Sequence, residues 1–395
     1  MVALAKLALK SGDVDAAMQH SKTALRANDS NEQAAMVLAE VMLLKGDHQA
    51  ATSHYQRLLT QRPNHYPALA NLIGLMRRAG TLKEAEQYLE MSEHANQRAV
   101  SHAGFHFCKG LFYRQVEAFE GIRHFNMARR DGEWGARALQ HMVEMYLNPD
   151  GVPIWEGDGG KPENLSVAEQ LLSELKVCDR SCLCLQEANG EDCERPMELR
   201  VKVLEGLVKL ASHEKRMIDA SMQEFIELLE IEKDFLPALL GMSFAFMLEK
   251  EPNKARNALK RIAKIPYSPD MADEFEQSYL LLAFLYMDRG KFDLSQDLGR
   301  RCLSYNKSCS KAWETMGLIM EKEQSYSDAA ECYERSWELE HQASAVIGFK
   351  LAFNYLKANR FVDAIDVCTK VLGQYPDYPR IREEILSKAE AGLRP

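Results

Sequence analysis

The sequence predicts an all-α fold: a solenoid of about ten antiparallel helix pairs, closed by a C-terminal capping helix. Three observations carry this expectation. First, one pattern of large and small residues is written three times between Tyr279 and Pro376. It reads Tyr279, Leu282, Ala283, Tyr286, Gly290 and Phe292; then Trp313, Met316, Gly317, Met320, Tyr326, Ala329 and Tyr333; then Leu351, Ala352, Tyr355, Phe361, Ala364, Leu372 and Pro376. Second, the step from Phe292 to Tyr326 is 34 residues and from Tyr326 to Phe361 is 35, while Gly12, Gly46 and Gly80 lie 34 apart, as do Ala17, Ala51 and Ala85. Third, the apolar residues recur with the 3.6 period of a helix throughout, rather than the alternation of a strand.

A period of 34 is that of the tetratricopeptide repeat, a helix–turn–helix unit in which small residues let two antiparallel helices cross closely. In the first hundred residues each glycine is expected to end a helix where a positive φ is needed, and each alanine to sit at the crossing. Tyr55 and Pro63 complete the second copy. Aligned on Gly12, Met1 falls at about the fourth position of its repeat, so Leu4 and Leu7 lack a preceding neighbour. Because terminal repeats of a solenoid normally carry a polar outer face, the sequence is expected to be a piece, or a shortened form, of something longer.

A fourth repeat, about 101–130, is marked by Phe112, Gly121, Phe125 and Ala128, with an altered turn. The fifth is broken. Trp134 to Leu147 gives one helix, after which a glycine- and proline-rich stretch interrupts the pattern. Ser166 and Glu169 read as a capping box opening the partner helix, with Leu171, Leu172 and Leu175 on its apolar face. A second break is expected from Cys178 to Pro196. The sixth pair covers about 197–231 and the seventh about 237–264, the latter signed by Leu240, Gly241 and Phe244. A last helix after Pro379 turns Ile381, Ile385 and Leu386 inward and Arg380, Arg382, Glu383, Glu384 and Lys388 outward, as a cap should. The organisation is therefore N-terminal repeats over 1–147, a broken repeat with two loop insertions over 148–196, C-terminal repeats over 197–378 and a capping helix over 379–395.

Composition narrows the function. A net charge of −9 over 395 residues gives no support to nucleic acid or an anionic membrane as the principal partner. The apolar stretches are interrupted by charge too often to span a bilayer, so no direct membrane insertion is expected. Nine cysteines, with Cys302, Cys332 and Cys368 at packing positions, read as reduced thiols of a cytosolic compartment.

Candidate chemistry is sparse. Cys178, Cys182, Cys184 and Cys193 could supply four thiolates to zinc, but their C-x₃-C-x-C-x₈-C spacing is not that of paired knuckles. A loop with incidental cysteines is the preferred reading, with disulfide or redox chemistry the remaining one. His102 and His106 stand four apart without an evident third ligand. No P-loop, G-x-S-x-G or dinucleotide fingerprint occurs. The acid-rich runs at 224–234 and 331–340 read as solvated helix faces. The expectation is a non-enzymatic binding platform that needs no cofactor. A chaperone adaptor clamping an acidic C-terminal peptide is the alternative; Lys6, Lys10, Arg77 and Arg78 suit it, but Glu40, Val41, Leu43 and Leu44 stand where an amide is wanted.

Beyond the repeat pattern, the segments MGLIMEKEQSYSDAAECYE (316–334), FKLAFNYLKANRFVDAIDVC (349–368), YPDYPRIREEILSKA (375–389) and PALLGMSFAFMLEKEPNKARNALKRIAKI (237–265) resemble the C-terminal region of the tetratricopeptide repeat protein 21 family. That family is the large repeat subunit of intraflagellar transport complex A, which serves retrograde movement in cilia. The resemblance implies a scaffold of the cilium and cytoplasm whose partners are other subunits of that complex and ciliary cargo. It names no contact residues. The positions the sequence singles out are structural: Gly12, Ala17, Gly46, Ala51, Gly80, Ala85, Gly241, Gly290, Trp313, Gly317, Ala329, Ala352, Ala364 and Pro376.

Overall fold

The computed structural model describes residues 1–28, 31–95, 101–148, 154–155, 159–189, 195–378 and 380–393, with backbone alone over 179–189 and 195–197. The described residues are helical, without a strand, and form ten consecutive pairs. These are α1 (Val2–Lys10) with α2 (Val14–Ala27), α3 (Glu32–Leu44) with α4 (His48–Gln61), α5 (Tyr66–Ala79) with α6 (Ala85–Ala95), and α7 (Ala103–Val116) with α8 (Ala118–Ala128). Then come α9 (Gly135–Leu147) with α10 (Pro162–Asn189), α11 (Arg195–Ala211) with α12 (Lys215–Ile231), and α13 (Leu236–Leu248) with α14 (Pro252–Ile262). The last three are α15 (Ala272–Met287) with α16 (Phe292–Tyr305), α17 (Ser310–Lys322) with α18 (Tyr326–Leu339), and α19 (Ala345–Lys357) with α20 (Phe361–Gln374). A π-helical turn, Arg382–Leu386, runs into α21 (Ser387–Leu393).

The turns inside the pairs share one chemistry. Gly12, Gly46, Gly80 and Gly290 take φ of 80°, 77°, 83° and 69°. The amide of Gly12 donates to Leu9 O and that of Asp13 to Ala8 O, closing the helix end as a left-handed cap does. Asp13 then opens the next helix, its carboxylate accepting from Ala16 N at 2.9 Å, and Asp47 repeats this with Ala50 N at 3.0 Å. Later pairs build the same turn without glycine. Lys250, Gln324 and Asn359 hold φ of 60°, 62° and 59°, and the amides of Gln324 and Ser325 return to Glu321 O and Met320 O in the same pattern. The fourth pair has no such turn: Glu117 alone separates α7 from α8.

Two expectations are corrected. The helix expected to open with a capping box at Ser166 begins at Pro162, because proline suits the first helical turn, where no backbone donor is needed. The break expected from Cys178 does not occur there: α10 runs on to Asn189, since its 178–189 stretch holds neither glycine nor proline to stop it.

The chain divides into two compact units, one of Met1–Ala258 with Ile265–Met271 and one of Leu259–Lys264 with Ala272–Pro395. In the first, Tyr55, Leu69, Ile73, Phe105, Phe107 and Phe125 are fully buried in a core that continues through Leu139 and Leu175. In the second, Tyr333, Leu351, Val371, Ile381 and Ile385 form a core that the final helical segment covers. Ala17, Ala51, Ala85, Ala329, Ala352 and Ala364 all have no exposed surface. On α3, Ala34 and Ala39 are buried as well.

Candidate interaction surfaces on the first helices

In the second unit the first helices of successive pairs are α15, α17 and α19. The residues following the small crossing residues are Phe284, Leu318 and Phe353; Phe284 is exposed, Leu318 is half-buried, and Phe353 is half-buried and packs against the core. Phe284 is 41% exposed, and Val346 at the start of α19 is 53% exposed. Large apolar side chains left in water at such a face are what a binding platform offers. Lysines border them: Lys357 lies 5.4 Å from the centre of the Phe353 ring, and Lys322 is exposed.

Polar contacts tie α17, α18 and α19 together. Lys350 Nζ meets Glu314 Oε1 at 2.8 Å, tying α19 to α17. Glu321 Oε2 accepts from the Tyr333 hydroxyl at 3.1 Å and from Asn354 Nδ2 at 2.9 Å. Burial, and behind it the charge of Glu321, pushes the Tyr333 phenol well above its ordinary range, so it remains a donor at any ordinary pH. The carboxylate therefore fixes two adjacent repeats at once. Asn354 is fully buried, and its Oδ1 has no partner among the described residues.

A second cluster lies in the first unit, where α7, α8 and α9 meet. His106 Nδ1 and His124 Nδ1 are 3.1 Å apart, so one ring donates to the other. Tyr113 stacks on His124 with ring centres 5.5 Å apart. Burial, then the neighbouring His106, pushes His124 down to about 4. Alongside, Arg114 Nη1 reaches Glu144 Oε2 at 3.0 Å and His141 Nδ1 at 2.7 Å. Burial opposes the charge of Glu144; the hydrogen bond with His141, the Arg114 guanidinium and the Gln140 amide outweigh it and hold the carboxyl at about 2. These groups satisfy one another, which is what a buried polar network requires.

The metal reading of His102 and His106 fails on this geometry. His102 caps α7, accepting from Gly104 N at 3.0 Å with its ring against Tyr66, while His106 is engaged with His124. Of the four clustered cysteines, Cys178 is half-buried on α10; the side chains of Cys182, Cys184 and Cys193 lie outside the described residues. Burial pushes the thiols of Cys332 and Cys368 up to about 11 and about 12, and that of Cys108 higher still. These cysteines are neutral thiols at physiological pH and poor nucleophiles. The acidic-peptide clamp is opposed by Glu40 on α3: Lys6 already has this half-buried carboxyl beside it, where the clamp would need an amide.

The structural positions read from sequence take these places. Gly241 and Gly317 face aromatic rings, a β-carbon on the first falling 2.5 Å from Phe225 Cζ and on the second 3.0 Å from Tyr333 Cδ1. Trp313 is half-buried and donates from Nε1 to Lys307 O at 2.9 Å. Pro376 sits in the exposed turn after α20. Sequence reasoning passed over Gly110 and Gly206, which receive Phe125 and Phe225 just as closely; a glycine five or six residues before a helix end was the available signal. It also passed over Arg200 and the segment Ile265–Met271. Arg200 Nη2 donates to Asp270 O at 3.1 Å, across 70 residues.

Helix pairs that follow one another along the chain in each unit, with apolar and charged side chains on their first helices, define a helical-repeat protein of the kind that binds other proteins. A family profile described as the tetratricopeptide repeat protein 21 C-terminal ARM domain matches residues 166–390, and one described as the TT21 fifth ARM repeats domain matches residues 32–147. The chain belongs to the tetratricopeptide repeat protein 21 family. Tetratricopeptide repeat protein 21A of Mus musculus is 42% identical over 397 residues, covering 99% of this chain and 30% of that protein. Tetratricopeptide repeat protein 21B of Mus musculus is 44% identical over 343 residues, covering 83% of this chain and 25% of that protein. The chain thus spans less than a third of the length of these relatives. Among solved structures, a tetratricopeptide repeat protein from Parabacteroides merdae is 14% identical, with 74% of this chain and 100% of that one covered and a TM-score of 0.45.

Proposed function

We propose that this chain is a non-enzymatic docking segment of intraflagellar transport complex A, serving retrograde movement and cargo traffic in the cilium and at its base. The observation that carries the reading is the match of residues 166–390 to the C-terminal domain of a family understood as the large repeat subunit of that complex. The geometry supports it in a general way. Exposed Phe284 on α15 and Val346 on α19, with exposed Lys322 on α17 and Lys357 on α19, offer area for a protein partner, and a stable interface needs roughly 1,200–2,000 Å² in total. Its partners on this reading are other complex A subunits and ciliary cargo.

The test is affinity purification of the tagged protein from ciliated cells, with identification of what comes with it. Complex A subunits are expected. The double variant Lys322→Glu with Lys357→Glu, which reverses two exposed charges without touching the core, should weaken that recovery and leave material at ciliary tips. Normal recovery and normal return of cargo with the variant would remove this face as the dock.

A further inference from the structure

Several cations of the second unit are set against carboxylates: Lys311 and Lys350 meet Glu314, and Arg360 meets Asp363. The C-terminal ends of α14 and α16 differ. Leu259 and Ile262 turn inward from α14, which leaves Lys260 and Arg261 exposed in its last turn. Lys264 is exposed in the turn that follows, its amide still donating to Arg261 O at 3.1 Å. On α16, Leu298, Gly299 and Cys302 are buried, while Arg300 and Arg301 are exposed. Lys307 is exposed in the turn before α17. All six cations belong to one compact unit, Leu259–Lys264 with Ala272–Pro395.

One contact brings the two helix ends together. Arg301 Nη1 donates to Ala263 O at 3.1 Å, with its guanidinium 5.6 Å from the centre of the Tyr279 ring. A cation at the end of a helix satisfies an orphan carbonyl and complements the dipole, and Arg301 does this for α14. Lys260, Lys264, Arg300 and Lys307 form no ion pair among the described residues. Cations gathered in this way, on a chain of net charge −9, complement an anionic partner. The outer side of α16 limits its size. Asp293 and Asp297 are exposed there, at the helical spacing that puts them in line with Arg300. A bilayer or a nucleic-acid duplex is a broad anionic surface and would meet these two carboxylates as well. A short run of carboxylates can lie on the cations alone.

We propose that the adjoining ends of α14 and α16 are a docking site for a short acidic segment of a partner protein, whose carboxylates are taken by Lys260, Lys264, Arg300 and Lys307. Lysine and arginine hold carboxylates by charge-assisted hydrogen bonds, and at an exposed site these are weakened by salt. The site stands on second helices, whereas Phe284 and Val346 stand on first helices. The proposal does not depend on the ciliary reading.

The probe is a fluorescein-labelled hexaglutamate peptide, titrated by anisotropy against the whole chain, with hexaglutamine carrying the same label as the blank. Hexaglutamate should bind, and should bind less tightly as ionic strength rises from about 0.05 M to about 0.3 M. The triple variant Lys260→Gln, Lys264→Gln and Arg300→Gln should raise Kd at least about tenfold. Its dichroism and unfolding midpoint should stay as before, since the three side chains are exposed. A control triple, Lys10→Gln, Lys22→Gln and Lys83→Gln, removes the same charge from exposed positions of the first unit and should leave Kd within about twofold. Equal losses in the two triples would show that overall charge is read and not this site. That result, no binding of hexaglutamate, or tighter binding of phosphatidylserine vesicles or duplex DNA that the first triple abolishes, would each overturn the assignment.

Discussion

The Phe225 ring is wedged against Gly241: a β-carbon there would fall 2.5 Å from Phe225 Cζ, and one on Gly206 would fall 2.6 Å from the same ring. Three helices, α11, α12 and α13, thus meet on one fully buried phenylalanine, and the two glycines are what let them approach. Gly241→Ala must move either the ring or a backbone, and is expected to cost about 1–3 kcal/mol through overpacking. Gly74, in the middle of α5 with ordinary helical φ and nothing within 4 Å of its added β-carbon, is the control. Gly74→Ala should stabilise by about 0.5–1 kcal/mol, the helix-interior difference between the two residues. Urea unfolding midpoints that move the same way for both variants would contradict this packing.

The turn after α17 stores strain that glycine would remove. Gln324 holds φ of 62°, a conformation that costs an L-residue roughly 1–2 kcal/mol. Gln324→Gly relieves that but gains freedom in the unfolded chain, so a net stabilisation of up to about 1 kcal/mol is expected. Gly46→Gln, the reverse change at the matching turn, should destabilise by about 1 kcal/mol or more. Equilibrium denaturation of the pair of variants measures both signs.

Acid should unfold the first unit before carboxylate loss does. Burial, first among the causes, lowers His48, His54, His65, His124 and His141 from 6.5, and takes His124 to about 4. A histidine kept neutral in the fold binds fewer protons there than in the unfolded chain, so stability falls as pH falls. The contribution is whole above about pH 6.5 and is lost as pH drops toward about 4 in the case of His124. The thermal midpoint should decline over that window, and His124→Gln should make the decline shallower. Glu144, held at about 2 against an ordinary 4.5, keeps its contribution above about pH 4.5 and loses it as pH falls toward about 2. A flat profile from pH 7 to 4.5 would refute the role given to these rings.

The cysteine run should bind no stoichiometric zinc. Cys178 is half-buried on the α10 helix, and the run's C-x₃-C-x-C-x₈-C spacing lacks the paired units of a zinc knuckle. Serine at Cys182 and Cys184 should leave the dichroism spectrum unchanged. Elemental analysis finding about one zinc per chain, lost in that double variant, would reverse the reading.

What the sequence made legible were features written locally. Gly12, Gly46, Gly80 and Gly290 announce turns because glycine alone takes a positive φ cheaply. Lys250, Gln324 and Asn359 make the same turn unannounced, since a helix end closed by returning amides can force any residue into it. The length of α10 was misjudged for the opposite reason: a run of cysteines suggests a loop, but no residue from Cys178 to Asn189 stops a helix. The contact of Arg200 with Asp270 has no local signal at all. Its two ends are 70 residues apart, and only the stacking of the intervening repeats brings them together.

The shared carboxylate of Glu321 bears on how the chain comes apart. In a linear array each repeat can melt separately from an end, one opening at a time, with a free energy set by its own stability and one interface. Glu321 accepts from Tyr333 in the ninth pair and from the buried Asn354 in the tenth. Loosening the tenth pair strands a carboxylate among buried neighbours, and loosening the ninth strands an amide; either loss makes the other repeat less costly to open. The end of the solenoid should therefore fray in a step of two repeats. Amide hydrogens of α17 to α20 would then exchange with one common opening free energy, and Glu321→Gln would split it in two.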